Sequence, residues 1–212
     1  MVKRVATAMF GGSFNPVHLG HLHLIHTVAT TTRYRRFIFI PVAQNNFKRD
    51  ADLADAHHRL TMLHLSFASY EKLYPDDPPL ELLSDPCEIE RGGVSYTYDT
   101  VRHLYLKYGI KGRLGLVMGD DLLGSLDKWH EYDALKQLVS FVVIRRDKEA
   151  TAFHDSAVDL EYIDNVLVEE SSTTIREACA ALKGDDQLPL KIRSLMNEEV
   201  AAYVQQNRLY RS

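Results

Sequence analysis

His18 and His21 stand three residues apart at the head of a run in which Leu19, Leu22, Ile25 and Val28 recur at helical spacing. On the first turn of a helix, two imidazoles at that spacing share one face. Ahead of them lies Gly11-Gly12-Ser13-Phe14-Asn15-Pro16-Val17, and ahead of that an apolar run, Val5 to Phe10, that reads as a buried strand. Glycines at a strand's exit let backbone N–H groups approach an anion, and the next helix presents its positive end. Two imidazoles above such a helix start point to chemistry on phosphate. Two other readings stay open from these residues alone. One is a glycine-rich turn with two surface histidines. The other is a metal-binding pair, although helical zinc pairs more often use i, i+4 spacing with an acidic third ligand.

Four further groups carry candidate chemistry. Ser171-Ser172-Thr173-Thr174-Ile175-Arg176 reads as a helix N-cap, and with Arg176 in the first turns it also reads as an anion cradle. Ser95-Tyr96-Thr97-Tyr98-Asp99-Thr100, after Glu88-Ile89-Glu90-Arg91-Gly92-Gly93, reads as a turn leading into a capped helix. Gly119-Asp120-Asp121 ends the apolar strand Leu114–Met118 and is followed by Leu126 and by Trp129, the one tryptophan. A lone tryptophan on an amphipathic helix is usually core or partly buried surface. Lys48 sits in a polar stretch, 43–56, that reads as loop, where a solvated lysine is commonplace.

Taken together, the uninterrupted Gly-Gly-x-Phe-x-Pro-x-His-x-Gly-His, the Ser-Ser-Thr-x-Ile-Arg at 171–176, the Ser-Tyr-Thr-x-Asp-Thr at 95–100 and the Gly-x-Asp…Leu-x-x-Trp from Gly119 to Trp129 resemble a known family. It is that of the His-x-Gly-His nucleotidylyltransferases, and within them the bacterial nicotinate-mononucleotide adenylyltransferases. The matched motifs run from residue 11 to 176. The resemblance implies transfer of AMP from ATP to nicotinate mononucleotide, with release of pyrophosphate and with Mg²⁺ held mainly by the ATP phosphates. It implies catalytic roles for His18, His21, Lys48 and Arg176. ATP would be held by Gly11, Gly12, Ser13, Phe14, Gly119, Asp121, Ser172 and Thr173 together with both histidines and Arg176. The pyridine nucleotide would face Asn15, Lys48, Tyr96, Thr97 and Trp129, the indole stacking on the pyridine ring. Two departures stand out. The family's Pro-Pro-His-Lys is here Asn45-Asn46-Phe47-Lys48, which keeps only the lysine, and Glu170 stands where the family usually has an apolar residue. The same chemistry on nicotinamide mononucleotide or phosphopantetheine is the nearest alternative. A non-catalytic nucleotide sensor on the same fold is a second.

The elements needed to position these groups are legible in outline. At 212 residues, 45% hydrophobic and 25% charged, the chain has the length and composition of one globular domain, expected over 1–212 with a helical segment from about 173 packed on it. Strands at Val5–Phe10, Phe37–Val42, Leu80–Leu83, Leu114–Met118, Val139–Ile144 and Val166–Val168 alternate with helical patterns at 56–70, 99–108, 122–126, 129–138, 173–182 and 195–206. That alternation predicts a Rossmann-like α/β fold, an open parallel sheet with helices on both faces. The net charge of −4 disfavours a nucleic-acid partner. Cys87 and Cys179 are too far apart in sequence to suggest a metal ribbon or disulfide framework. No apolar run is long enough to span a bilayer, and a cytoplasmic location is expected.

Overall fold

The computed structural model describes residues 5–43, 53–145, 155, 158–164, 172–184 and 186–211. Its centre is a six-stranded sheet in the order β3-β2-β1-β4-β5-β6, with every neighbouring pair parallel. The strands are β1 (Thr7–Gly12), β2 (Arg36–Pro41), β3 (Glu81–Ser84), β4 (Leu114–Gly119), β5 (Val139–Arg145) and β6 (Leu160–Asp164). The helices are α1 (Leu19–Thr31), α2 (Ala56–Ala68), α3 (Tyr70–Leu73), α4 (Cys87–Arg91), α5 (Thr97–Tyr108), α6 (Tyr132–Leu138), α7 (Ser172–Ala180), α8 (Leu190–Arg193) and α9 (Glu198–Gln206), with a 3₁₀ stretch at Asp120–Lys128.

The central strands β1, β2, β4 and β5 are buried on both faces, which is why they read as nearly continuous apolar runs. Alternate residues divide between two cores, as the pleat requires. Ala8, Phe10, Phe37, Phe39, Val117 and Val142 pack with Leu22, Ile25 and Val28 of α1, Met62 and Leu63 of α2, and Ile175, Val200 and Val204 of α7 and α9. Met9, Ile38, Ile40, Leu116, Met118 and Val143 pack on the opposite face with Val101 and Leu104 of α5 and Leu135 of α6. Close packing constrains Gly115, where a Cβ would come 2.5 Å from the Tyr34 ring.

The expected architecture is present, with local differences that have physical causes. β1 extends through Gly11 and Gly12, because both pair with Ile40 and Pro41 of β2. The expected loop before Tyr96 contains α4, five residues between Pro86 and the positive-φ Gly92 (φ 68°), too short for its periodicity to register. The helix expected from Trp129 starts only at Tyr132. Trp129 caps the 3₁₀ stretch instead, and Glu131 is left-handed (φ 52°). The helix expected over 195–206 starts only at Glu198, as α9 with Asn197 as its N-cap, and the separate short helix α8 precedes it. The last strand is Leu160–Asp164, paired along Phe141–Arg145, while 166–168 lies outside the described residues.

The topology decides where a ligand belongs. β1 and β4 are neighbours, and the chain runs from β1 toward one edge and from β4 toward the other. In open α/β sheets the crevice at such a reversal, outside the strands' carboxyl ends, is the binding position. Gly11 and Gly12 end β1, and Gly119 ends β4.

Candidate active site

After β1 the chain turns through Phe14, a non-glycine residue with φ 48°, and a cis Asn15–Pro16 peptide. The side chain of Phe14 fills the core, 5.4 Å from the Phe39 ring and 5.3 Å from that of His21 (centroid to centroid). The turn explains Gly12, since a Cβ there would stand 3.0 Å from Phe14 Cζ. A Cβ on Gly11 would meet no protein atom within 4 Å. The Phe14 side chain thus fixes the path of this loop from within the core.

His18 is the N-cap of α1 and His21 is its third residue, so the pair sits on the helix's positive end with ring centroids 3.9 Å apart. The backbone N–H of His18 donates to Nδ1 of His21 at 3.2 Å. In the neutral ring this puts the His21 proton on Nε2, on the opposite edge of the imidazole from the backbone it caps. His18 is buried, and burial lowers its pKa to about 4. It is a neutral imidazole at pH 7.

That depression has a consequence for stability. Unfolded, His18 takes up a proton near its ordinary value of 6.5; folded, it does so only near 4. Its contribution is complete above pH 6.5 and is lost as pH falls toward 4, a change of about 3 kcal/mol. Urea unfolding at pH 7 and pH 4.5 should show a smaller acid loss in His18→Asn than in the parent protein.

The loop is clamped from two sides. From the C-terminal part of the chain, Arg176 Nη1 donates to the Asn15 carbonyl at 2.9 Å and Nη2 to Thr173 Oγ1 at 3.2 Å, while Ser172 Oγ donates to the Pro16 carbonyl at 2.9 Å. The Leu19 N–H, at the head of α1, donates to the Leu195 carbonyl. From the other side, Asn15 Oδ1 accepts the Ala54 N–H at 2.9 Å. Arg59, only 2% exposed, donates from Nε to the Ala54 carbonyl and from Nη1 to the Ser13 carbonyl, both at 3.0 Å. Nothing in the sequence marks Arg59 for this place, since a helical arginine usually faces water. A cavity of about 540 Å³ adjoins the clamp, lined in part by Asp55, Thr173, Arg176, Glu177 and Tyr210.

A second cluster forms between the segments that follow β3 and β4. Tyr96 caps α5, is 46% exposed and lies 4.3 Å from the His130 ring, beside half-buried Trp129. Thr97 is the first residue of α5. Beneath them, Thr100 Oγ1 donates to Glu88 Oε1 at 2.8 Å, and Arg91 Nη1 reaches Ser95 Oγ at 3.3 Å, tying α4 to the start of α5. Burial raises the Glu88 pKa. A cavity of about 320 Å³ lies between this segment and the start of α2, lined by Ala43, Leu53, Arg59, Ile89, Gly92 and Gly93 among others.

The structure thus pairs His18 with His21, and ties Ser172, Thr173 and Arg176 to the Asn15–Pro16 turn that leads into them. Gly11, Gly12, Gly119 and Asp121 lie on the neighbouring carboxyl ends of β1 and β4 or just beyond. Tyr96, Thr97 and Trp129 belong to the α4–α5 side. Lys48 and Ser171 lie outside the described residues. His130, Glu88 and Arg59 escape a reading of the sequence because each acts through a neighbour brought close only by the fold.

Residues 9–178 match the family described as cytidylyltransferase-like. A Gemmatimonas aurantiaca protein named "Probable nicotinate-nucleotide adenylyltransferase" is 33% identical over 210 residues, covering 96% of this chain and 91% of its own. A Treponema pallidum protein of the same name is 41% identical over 138 residues, 64% of this chain, and the match spans 63% of the Treponema protein's length. Among solved structures, the Plasmodium falciparum nicotinic acid mononucleotide adenylyltransferase complexed with NaAD aligns over 98% of both chains with a TM-score of 0.68 at 16% identity, which speaks to fold. The chain belongs to the cytidylyltransferase-like family, with the Rossmann-like nucleotidylyltransferase fold and with curated relatives named as nicotinate-nucleotide adenylyltransferases.

Proposed function

We propose that this protein transfers AMP from ATP to nicotinate mononucleotide, forming nicotinate adenine dinucleotide and pyrophosphate. The observation that carries the reading is the turn after β1, at the β1/β4 reversal, where two imidazoles stand at a helix's positive end and the Arg176 guanidinium holds the Asn15 carbonyl just before them. The names of the relatives supply the acceptor.

The acceptor's phosphate is already an anion and attacks the α-phosphorus of ATP in line, so no strong base is needed. One bond forms from the acceptor phosphate oxygen to the α-phosphorus. The bond from that phosphorus to the oxygen bridging toward the β-phosphorus breaks, and its electron pair leaves with pyrophosphate. Catalysis is then positioning together with stabilisation of charge on the leaving group. His21 donates from Nε2 to that charge, and His18 supports the same phosphates as a neutral ring. Arg176, with Ser172 and Thr173, holds the β and γ oxygens. Lys48 receives the acceptor's phosphate. Gly11 and Gly12, with Ser13 and the Phe14 backbone, line the phosphate path, while Gly119 and Asp121 face the adenosine. Tyr96, Thr97 and Trp129, with Asn15, face the pyridine nucleotide.

Mg²⁺, bound to ATP, would offset phosphate charge. The groups beside the turn are imidazoles, a guanidinium and hydroxyls, donors that suit phosphate oxygens, so the ion would be carried in by the nucleotide. Among the described residues, the one group of three close metal-ligating side chains, Asp85, Cys87 and His103, lies outside the glycine–histidine stretch. No helix among them is long and apolar enough to cross a membrane. A cytoplasmic location, where ATP is supplied, belongs to the same reading.

Initial rates of pyrophosphate release with ATP and Mg²⁺, compared at equal concentrations of nicotinate mononucleotide, nicotinamide mononucleotide and phosphopantetheine, test the acceptor. The nicotinate compound should be preferred by at least tenfold. Equal or faster release with the amide would keep the chemistry and overturn the specificity. Release with none of the three by folded protein would favour a nucleotide sensor.

A further inference from the structure

Asp85, Cys87 and His103 meet where β3 exits and α4 begins, with His103 reaching in from α5. One ligand-capable atom from each, a carboxylate oxygen, a thiol sulfur and a ring nitrogen, lies within 4.8 Å of the other two. His103 Nε2 is a buried atom with no hydrogen-bond partner, and it stands 3.5 Å from Asp85 Oδ1. That is long for a hydrogen bond. It suits two corners of a tetrahedral zinc site, whose N and O ligands at about 2.0–2.1 Å from the metal stand roughly 3.3–3.5 Å apart.

The surroundings are those of a supported ligand set. Asp85 is fully buried, and its Oδ2 accepts from Lys107 Nζ at 2.9 Å and Tyr108 OH at 2.8 Å. Its Oδ1 accepts the Cys87 N–H at 3.0 Å, which leaves that oxygen a second lone pair toward His103. Such outer hydrogen bonds orient a carboxylate ligand. Cys87 is buried, and the His103 side chain is 36% exposed although its Nε2 is covered.

We propose that Asp85 Oδ1, Cys87 Sγ and His103 Nε2 bind one Zn²⁺-class divalent cation, with water as the fourth ligand. A thiolate and an imidazole select a borderline-soft metal over Mg²⁺, so this site is chemically distinct from the ATP-borne ion. Binding forms three protein–metal bonds in place of aqua ligands that leave the hydrated ion, one water being kept, and releases the Cys87 thiol proton to solvent, with no change of oxidation state. The ion would join the end of β3 to the first residue of α4 and to the middle of α5, the helix capped by Tyr96.

Co²⁺ titration of the metal-stripped full chain, without ATP, tests the site. One equivalent should bind with a near-ultraviolet thiolate-to-cobalt absorption. That absorption should vanish in Cys87→Ser and persist in Cys179→Ser. In His103→Gln, a half-exposed position where folding is not at issue, Co²⁺ affinity should fall at least tenfold. Circular dichroism confirms that each variant is folded. No thiolate band in folded parent protein at excess Co²⁺ would overturn the proposal. So would a band that survives Cys87→Ser, or unchanged affinity in His103→Gln.

Discussion

His21→Ala should lower kcat for dinucleotide formation by roughly 10²–10³-fold, the usual cost of removing one preorganised donor from a site of developing negative charge. The donor is preorganised because the His18 N–H occupies Nδ1 and so places the proton on Nε2. KM for ATP should change much less, since the interaction is strongest when charge builds on the departing oxygen. Fold stability should drop by only about 1 kcal/mol, the scale of losing a helix-start hydrogen bond. His21→Asn, which retains an N–H donor on a shorter arm, should recover part of the loss. Steady-state kinetics with denaturant melts separates these outcomes. A folded His21→Ala protein with parent-like kcat would remove His21 from the chemistry.

Arg176→Ala should cost about as much in kcat/KM, roughly 10²–10³-fold, but with a visible rise in KM for ATP. Arg176 holds a charged fork and also fastens the loop by its bond to the Asn15 carbonyl. Its removal would delete the proposed phosphate ligand and loosen the turn that leads to the two histidines. Arg176→Lys keeps the charge and loses the fork, so it should regain only a small part of the activity. If Lys restored full activity, a point charge would suffice and the fork geometry would be irrelevant. Isothermal titration with a non-hydrolysable ATP analogue reads the binding share of the loss separately.

The chemistry-bearing stretch is legible in the sequence because every requirement is local. Strand, glycines, histidine pair and amphipathic helix all fall between residues 5 and 31 and follow one another without interruption. The parallel sheet is legible for a related reason, as strands buried on both faces leave apolar runs such as Leu114–Met118. β6 is the exception. Leu160–Asp164 is an edge strand with Glu161 and Asp164 turned outward, so its apolar signal is diluted. The single tryptophan points to a helix, but the sequence does not reveal that a left-handed Glu131 breaks the chain just beyond it. Arg59 is hidden for a different reason. A buried guanidinium is stable only where backbone carbonyls are gathered for it, and Ser13 and Ala54 meet only in the folded chain. The same holds for His130 against Tyr96 and for Thr100 on Glu88, partners 34 and 12 residues apart that periodicity does not connect.

In the proposed reaction the bond broken lies between the α-phosphorus of ATP and the oxygen leading to its β-phosphorus, with the acceptor's phosphate as nucleophile. Phosphorus NMR of the purified protein with ATP, Mg²⁺ and nicotinate mononucleotide observes this directly. Pyrophosphate and the paired resonances of a dinucleotide diphosphate should grow in equal amounts as the ATP and mononucleotide signals decline. Formation of ADP or orthophosphate, or of AMP and pyrophosphate with the mononucleotide untouched, would contradict it.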